Sequence, residues 1–304
     1  VNSRARVLPF LYKLFPFDLK GDLSEFAPRS DTIRISCIIN FYGRLDLLSG
    51  IMHSLAQQDL SRHLFEVVLV EDRGGTVEGR AFCEAFSEQL NIRYFPLDKN
   101  YGRMGYSRNF GLARAKGEII LFLDDDTVLL QPFFLSRLIE AFDDNREVDA
   151  LIPHGSASFG LIKDKYDFHD SFFMTSRCMA YRRDVLEDLG GFVSEFVGQE
   201  DVEFVVRFHL ASKTVISLAD LGYHHPPLLV PRLSKPMVVG LSFSQLRRRY
   251  PKILFLLVGI NCSRHMFLIF SPTRKHREMG KFGIGFLCGF VRGFFRCELQ
   301  GHYR

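Results

Sequence analysis

Cysteine pairs at C-x-x-C spacing, a G-x-G-x-x-G run and an unbroken apolar stretch of membrane-spanning length are all missing from the 304 residues. Without the first, Cys37, Cys83, Cys178, Cys262, Cys288 and Cys297 suggest neither a zinc knuckle nor a redox pair and read as reduced thiols. Without the second, a nicotinamide-dependent dehydrogenase is disfavoured. A sugar-phosphate nucleotidylyltransferase is disfavoured as well, because the turn Asn40-Phe-Tyr-Gly-Arg44 offers one glycine where a triphosphate loop needs several. The most apolar window, 253–270, is interrupted by Asn261, Ser263, Arg264 and His265. A span needs roughly 20 nearly unbroken apolar residues, so none is expected. Arg4, Arg6, Lys13, Asp18 and Lys20 punctuate the first apolar residues, and no signal peptide is expected there.

What is present is a globular composition, 47% hydrophobic and 24% charged, which excludes a disordered chain, a disulfide-stapled mini-protein and a fibrous rod. The net charge of +4 hides an uneven division. From Pro231 onward 14 basic residues face only Glu278 and Glu298, a net of +12, while residues 1–230 carry −8. Two regions with different tasks are therefore expected. The chain divides into a lead-in over 1–30 without firm periodicity, a body over 31–230, and a basic, aromatic-rich helical region over 231–304.

Within the body, β-branched and apolar runs at 33–39, 65–70, 92–95, 118–123 and 148–152 read as strands. Helical spacing over 45–57, 77–90, 106–115 and 132–142 alternates with them. Several runs are continuously apolar, which predicts a mostly parallel sheet with helices on both faces. Ligands in such sheets lie beyond the carboxyl ends of the strands, and Asn40 to Arg44, Glu71 to Gly75 and Asp124 to Thr127 fall there.

Asp124-Asp125-Asp126 is the sharpest feature. Three adjacent carboxylates repel one another unless a cation neutralises them, and hard oxygen ligands suit Mg²⁺ or Mn²⁺ bridging to phosphates. A solvated acidic turn is the competing reading. Glu71-Asp72 could accept a hydrogen bond from a base or ribose, or could simply form a turn. Glu200 and Asp201 lie in the first turn of a helix marked by Val202, Val205, Val206 and Leu210; they serve as dipole caps, or Asp201 as a general base. His224-His225 before two prolines is a weak signal that gains weight if it faces the triple acid, where one imidazole would complete a metal shell.

In this order, from about Ile33 to Pro227, these motifs resemble the family 2 inverting glycosyltransferases of GT-A fold, a Rossmann-like α/β architecture. The matching pieces are Ile35-Ser-Cys-Ile-Ile-Asn40-Phe-Tyr42-Gly-Arg44, Glu71-Asp72, Asn100 to Gly111, the acidic triplet in place of a D-x-D signature, Gly191-Phe192, and Glu200-Asp201. The chain departs from the family at Ile39-Asn40, where Pro-Thr is frequent, and at Glu71-Asp72-Arg73-Gly74, where Asp-Asp-Gly-Ser is usual. It has no tryptophan, so the Q-x-x-R-W motif of processive members is excluded; Gln245-Leu-Arg-Arg248-Arg249 has Arg in the Trp position.

The resemblance implies a non-processive, inverting, metal-dependent glycosyltransferase. Its nucleotide-diphospho-sugar donor, a UDP-sugar by default, would be held by Asn40, Tyr42, Arg44, Glu71, Asp72, Arg103, Asp124 and Asp125. Mn²⁺ or Mg²⁺ would sit on Asp126 with His224 or His225, Gly191 and Glu200 would lie on the acceptor side, and Asp201 would be the base. The acceptor would be a hydroxyl of a glycan or lipid-linked molecule, received by a loop around 155–176. An inactive scaffold of the same fold is the alternative from a different class.

In the basic region, Phe282, Phe286, Phe290 and Phe294 recur every fourth residue among Lys and Arg. Two readings compete: an interfacial segment on an anionic membrane surface, or a helical appendix packed on the body. Nucleic acid is not expected as a partner, since no binding motif accompanies the charge. The expected location is cytoplasmic, peripheral on the cytoplasmic face of the membrane.

Overall fold

The computed structural model describes residues 3–72, 74–158, 165–167, 177–225 and 234–295. A lead helix α1 (Ser3–Leu14) precedes β1 (Ile35–Phe41), α2 (Leu45–Ala56), β2 (Phe65–Glu71), α3 (Val77–Ala85) and β3 (Ile92–Pro96). Then come α4 (Met104–Leu112), β4 (Ile119–Asp124), β5 (Val128–Leu129), α5 (Phe134–Asp144), β6 (Ala150–Ser158) and β7 (Lys165–Asp167). The body closes with β8 (Cys178–Arg182), α6 (Arg183–Asp188), α7 (Glu200–Leu210) and β9 (Val215–His224). Three further helices follow, α8 (Ser234–Phe243), α9 (Lys252–Ser263) and α10 (Arg274–Phe295), with 3₁₀ turns after the first two.

Strand order is β3-β2-β1-β4-β8-β6-β9-β5, with β7 beside β6. The half from β3 to β4 is wholly parallel. Every residue of β1 and β2 is buried, as their unbroken apolar runs require of central strands covered on both faces. One face packs on α2 and α5 through Leu48, Ile51, Leu135, Leu138 and Phe142. The other packs on α4, α6 and α7 through Leu112, Val185, Leu186, Phe204 and Phe208. β8 runs antiparallel to both β4 and β6, so the sheet is mixed beyond β4.

Three local expectations change. The lead-in contains α1, hidden from the periodicity by Arg4, Arg6 and a mid-helix Pro9. β8 and β9 were not expected; β8 is short, and the buried Leu218, Leu221 and Tyr223 of β9 do not alternate strictly. The expectation that no stretch has the length and apolarity of a span is also corrected. α9 and its 3₁₀ extension form 19 residues, Lys252–Phe270, long and apolar enough by length and composition to cross a bilayer. Lys252 and Arg264 are the only charged residues in it, too few to offset the Ile, Leu, Val and Phe around them.

The helical region packs on the body. Phe286 and Phe290 of α10 and Phe255 of α9 share a cluster with Val193 and Phe196, on the loop before α7. Phe282 and Phe294 stay 44% and 51% exposed, because a spacing of four drifts about 40° per step around a helix. The glycines that weaken an isolated helix have a use here. A Cβ on Gly289 would stand 1.9 Å from the Met237 carbonyl oxygen, and one on Gly240 2.0 Å from that of Phe286, so α8 and α10 cross backbone against backbone.

Gly289→Ala therefore pits a helix-propensity gain of up to about 1 kcal/mol against overpacking that costs about 1–3 kcal/mol. The variant is expected to unfold at a lower temperature than the native chain in a thermal melt. A higher midpoint would contradict the tight crossing.

Candidate active site

The acidic triplet begins at the end of β4, beside the end of β1, where Asn40 and Asp124 are register partners. Carboxylate oxygens of Asp124 and Asp126 and a ring nitrogen of His225 lie within 4.8 Å of one another. His225 follows β9 directly and is buried; its Nε2 stands 3.1 Å from Asp126 Oδ1. His224, the last residue of β9, is not in that group. Donors about 2.1 Å from an octahedral dication stand about 3.0 Å apart when adjacent and about 4.2 Å apart when opposite. Two hard carboxylates and one imidazole at this separation fit a small divalent cation such as Mn²⁺ or Mg²⁺.

Two arginines pair with these acids, beside the His225 contact. Arg44, just before α2, reaches both oxygens of Asp125 and one of Asp126, the latter at 3.3 Å. Arg108 of α4 is buried and forks between Asp124, at 3.0 Å, and Glu200. It ties the end of β4 to the start of α7. Sequence reasoning gave Arg108 no role; the usable signal was the polar run Ser107-Arg108-Asn109, all three buried, in a short helix.

Burial pushes the Asp125 carboxyl up to about 7 in spite of Arg44. It also raises Asp124, against the pull of Arg108. Burial acts on Asp126 in the same sense, but the His225 hydrogen bond and the charges of His225 and Arg44 prevail and hold it below the usual carboxylate range. Glu200 is pushed up to about 7, again by burial first, with Arg108 opposing and the charges of Asp201 and Asp124 adding.

Other expected site residues divide into those at the rim and those that build it. Asn40 is buried, and among the described residues its Nδ2 has no hydrogen-bond partner. Tyr42 is half-buried in the turn after β1, and Arg103 caps α4. Asp72 accepts from the backbone N–H groups of Tyr101 and Gly102, at 2.9 and 3.0 Å, and so fixes the loop leading to Arg103. The fully buried Glu71 accepts from the Thr76 hydroxyl at 2.8 Å and from the Tyr94 hydroxyl, fastening the start of α3.

On the far side, Asp201 occupies the first turn of α7, half-buried, with its Oδ1 accepting from the Val202 N–H at 2.8 Å. Gly191 adopts a positive φ of 60°, which favours glycine. Beside it, Asn109 accepts from the Phe192 N–H and donates to the Phe192 carbonyl, both at 2.8 Å. The turn into α7 is tight, with Gln199 at φ 69°. Of the loop expected to receive the acceptor, 155–176, residues 159–164 and 168–176 lie outside the described residues.

A carboxyl raised by burial favours folding below its ordinary value of 4.5, and that contribution is lost as pH climbs through the raised value, near 7 for Glu200. Glu200→Gln lacks this titration. The stability of the native chain relative to the variant, followed by thermal melts in chelator, is expected to fall between pH 4.5 and 7. A pH-independent difference would mean that Glu200 is ionised throughout.

Comparison with known proteins agrees with this arrangement. Residues 36–190 match the sequence pattern of glycosyl transferase family 2. The poly(ribitol-phosphate) beta-N-acetylglucosaminyltransferase TarS of Staphylococcus aureus is 26% identical over 205 residues, 64% of this chain and 35% of that protein. The chain thus spans about a third of the length of that relative. The O-antigen chain rhamnosyltransferase RfbN of Salmonella typhimurium is 24% identical over 221 residues, 66% of this chain and 68% of that protein. A TarS crystal structure in complex with UDP-GlcNAc superposes with a TM-score of 0.58 at 21% identity, covering 86% of this chain and 73% of that one. The mannosyltransferase PcManGT of Pyrobaculum calidifontis, in complex with GDP-Man and Mn²⁺, gives 0.62 at 14% identity over 97% of both chains. The fold is GT-A, as the order of motifs implies. With the acids of a strand end and a helix start brought to one rim and half its length matched by the family pattern, the chain belongs to glycosyl transferase family 2.

Proposed function

We propose that the chain transfers a sugar from a nucleotide-diphosphate donor to a hydroxyl of a glycan or lipid-linked acceptor, one residue at a time and with inversion. The observation that carries this reading is the Asp124–Asp126–His225 group, joined through Arg108 to Glu200, the neighbour of Asp201 in the first turn of α7. It supplies a place for a dication and a carboxylate beyond it, the two things the displacement needs on opposite sides of an anomeric carbon.

Asp124, Asp126 and His225 would hold Mn²⁺ or Mg²⁺, which when bound neutralises the charge of the departing diphosphate. Asn40, whose amide nitrogen has no partner among the described residues, and Tyr42 and Asp72 face the nucleoside in this reading, with Arg103 near the base or phosphates. Arg44, which bridges Asp125 and Asp126, is placed to meet the diphosphate. Asp201 accepts the acceptor's hydroxyl proton while its oxygen forms a bond to the anomeric carbon; the bond from that carbon to the diphosphate breaks, and the electron pair leaves with the nucleotide. Glu200, drawn onto Arg108, positions the turn that carries Asp201. A UDP-sugar is the first donor to test, because the TarS complex holds UDP-GlcNAc.

Titration calorimetry and a transfer assay separate the roles. Asp201→Asn is expected to bind a UDP-sugar with Mn²⁺ as the native chain does, while turnover falls about 10²–10⁴-fold, the range of general-base catalysis. Retained turnover would remove Asp201 as the base. Asp126→Asn and His225→Ala are expected to weaken metal-dependent donor binding by at least about tenfold, a loss typical even when only a metal ligand's partner is removed. Unchanged affinity would refute the metal assignment.

A further inference from the structure

The side of α9 that faces away from the protein is its apolar side. Ile253, Leu256, Leu257 and Ile260, at successive helical spacings of three and four, are 40–67% exposed, and Phe267 and Phe270 on the following turn are 68% and 87% exposed. A surface helix in water turns charged residues outward. The inner side of α9 is already satisfied: Leu254, Phe255, Gly259 and Ser263 are buried, with the Phe255 ring stacked 4.7 Å from that of Phe290 on α10. Only 17% of the most apolar window in Lys252–Phe270 is buried, which sets it apart from a core helix of similar composition.

Charge identifies what covers this face. Residues 234–295 hold 11 basic side chains against Glu278 alone, and Glu278 is paired with Lys281 at 2.8 Å. Lys252, Arg264, Arg274, Arg277 and Arg292 are exposed on α9, its extension and α10, with no acidic residue of 234–295 left to oppose them. Exposed apolar groups among unopposed cations complement an acyl layer beneath anionic headgroups. A second copy docking symmetrically through the same face would bring two strongly cationic surfaces together.

We propose that the outer face of α9 and its 3₁₀ extension, rimmed by the basic residues of α9 and α10, docks in the plane of an anionic lipid bilayer. The segment lies on the membrane instead of crossing it. Its inner side is occupied by α10, and Asn261, Ser263, Arg264 and His265 fall in the middle of its length.

The test uses the full chain and vesicles of phosphatidylcholine, with and without phosphatidylglycerol, in a sedimentation assay. The native chain is expected to partition at least tenfold more strongly onto the anionic vesicles and to be released by high salt. L256E/I260E changes two exposed side chains only; with an unchanged circular dichroism spectrum and thermal midpoint, it is expected to lose that binding at least tenfold. Equal partitioning of variant and native chain, or no binding to either vesicle, would overturn the proposal. So would salt- and carbonate-resistant retention in membranes, the mark of a span, or a native dimer in gel filtration that the double substitution converts to monomer without any vesicle binding. Each readout is binding, so its failure stands apart from any failure of the transferase reading.

Discussion

The site depends on keeping five carboxylates, Asp124, Asp125, Asp126, Glu200 and Asp201, at one partly buried rim. Two like charges 4 Å apart repel by about 4 kcal/mol at an effective dielectric of 20. An uncompensated cluster would therefore consume much of the stability of an ordinary domain. Two arginines and a histidine hydrogen bond make it tolerable. Arg44 lies across Asp125 and Asp126, His225 meets Asp126, and Arg108 forks between Asp124 and Glu200. The compensation is not complete: among the described residues Glu200 Oε2 has no hydrogen-bond partner. Two carboxylates and an imidazole left within reach of one another are a donor set that suits a dication.

Arg108 differs from the other two because it holds an acid of the strand end and an acid of the helix start at once. Asp124 ends a strand of the parallel half-sheet and Glu200 starts a helix packed on one sheet face, so the fork sets the distance between the metal-side and acceptor-side acids. Removing one partner from a buried pair of this kind leaves an uncompensated charge behind. Its cost would appear as lost geometry as well as lost stability.

Much of this was legible in the sequence, for a physical reason in each case. The parallel strands read clearly because burial on both faces demands unbroken apolar runs. The acidic triplet and Glu200-Asp201 stood out because carboxylates at strand and helix ends need an explanation. The antiparallel insertion of β8 did not read, since a five-residue strand carries too little pattern. Nor did the choice between His224 and His225, which is made where the chain leaves β9: one imidazole remains outside the metal-side group while the next meets Asp126. Glu71 shows the reverse, a carboxylate with a site-like position whose hydrogen bonds with Thr76 and Tyr94 fasten a helix start. Pairings formed across long sequence separations leave no local spacing to read.

The two competing readings of the basic region turn out to be two sides of one structure. α8 and α10 cross through glycines and bury Phe286 and Phe290 against Val193 and Phe196, while α9 keeps an apolar face outward. The loop gripped by this packing leads into Glu200 and Asp201. The same loop is held elsewhere by Asn109 at Phe192, by the Gly105 N–H on the Phe196 carbonyl at 3.2 Å, and by Arg248 on Glu195 at 2.9 Å. Two of those anchors come from α4, the helix that also carries Arg108; the third comes from the basic region. The turn bearing Asp201 is thus set from one side by the element that balances the acids and from the other by the helices that face outward, so displacement of either would move the carboxylate.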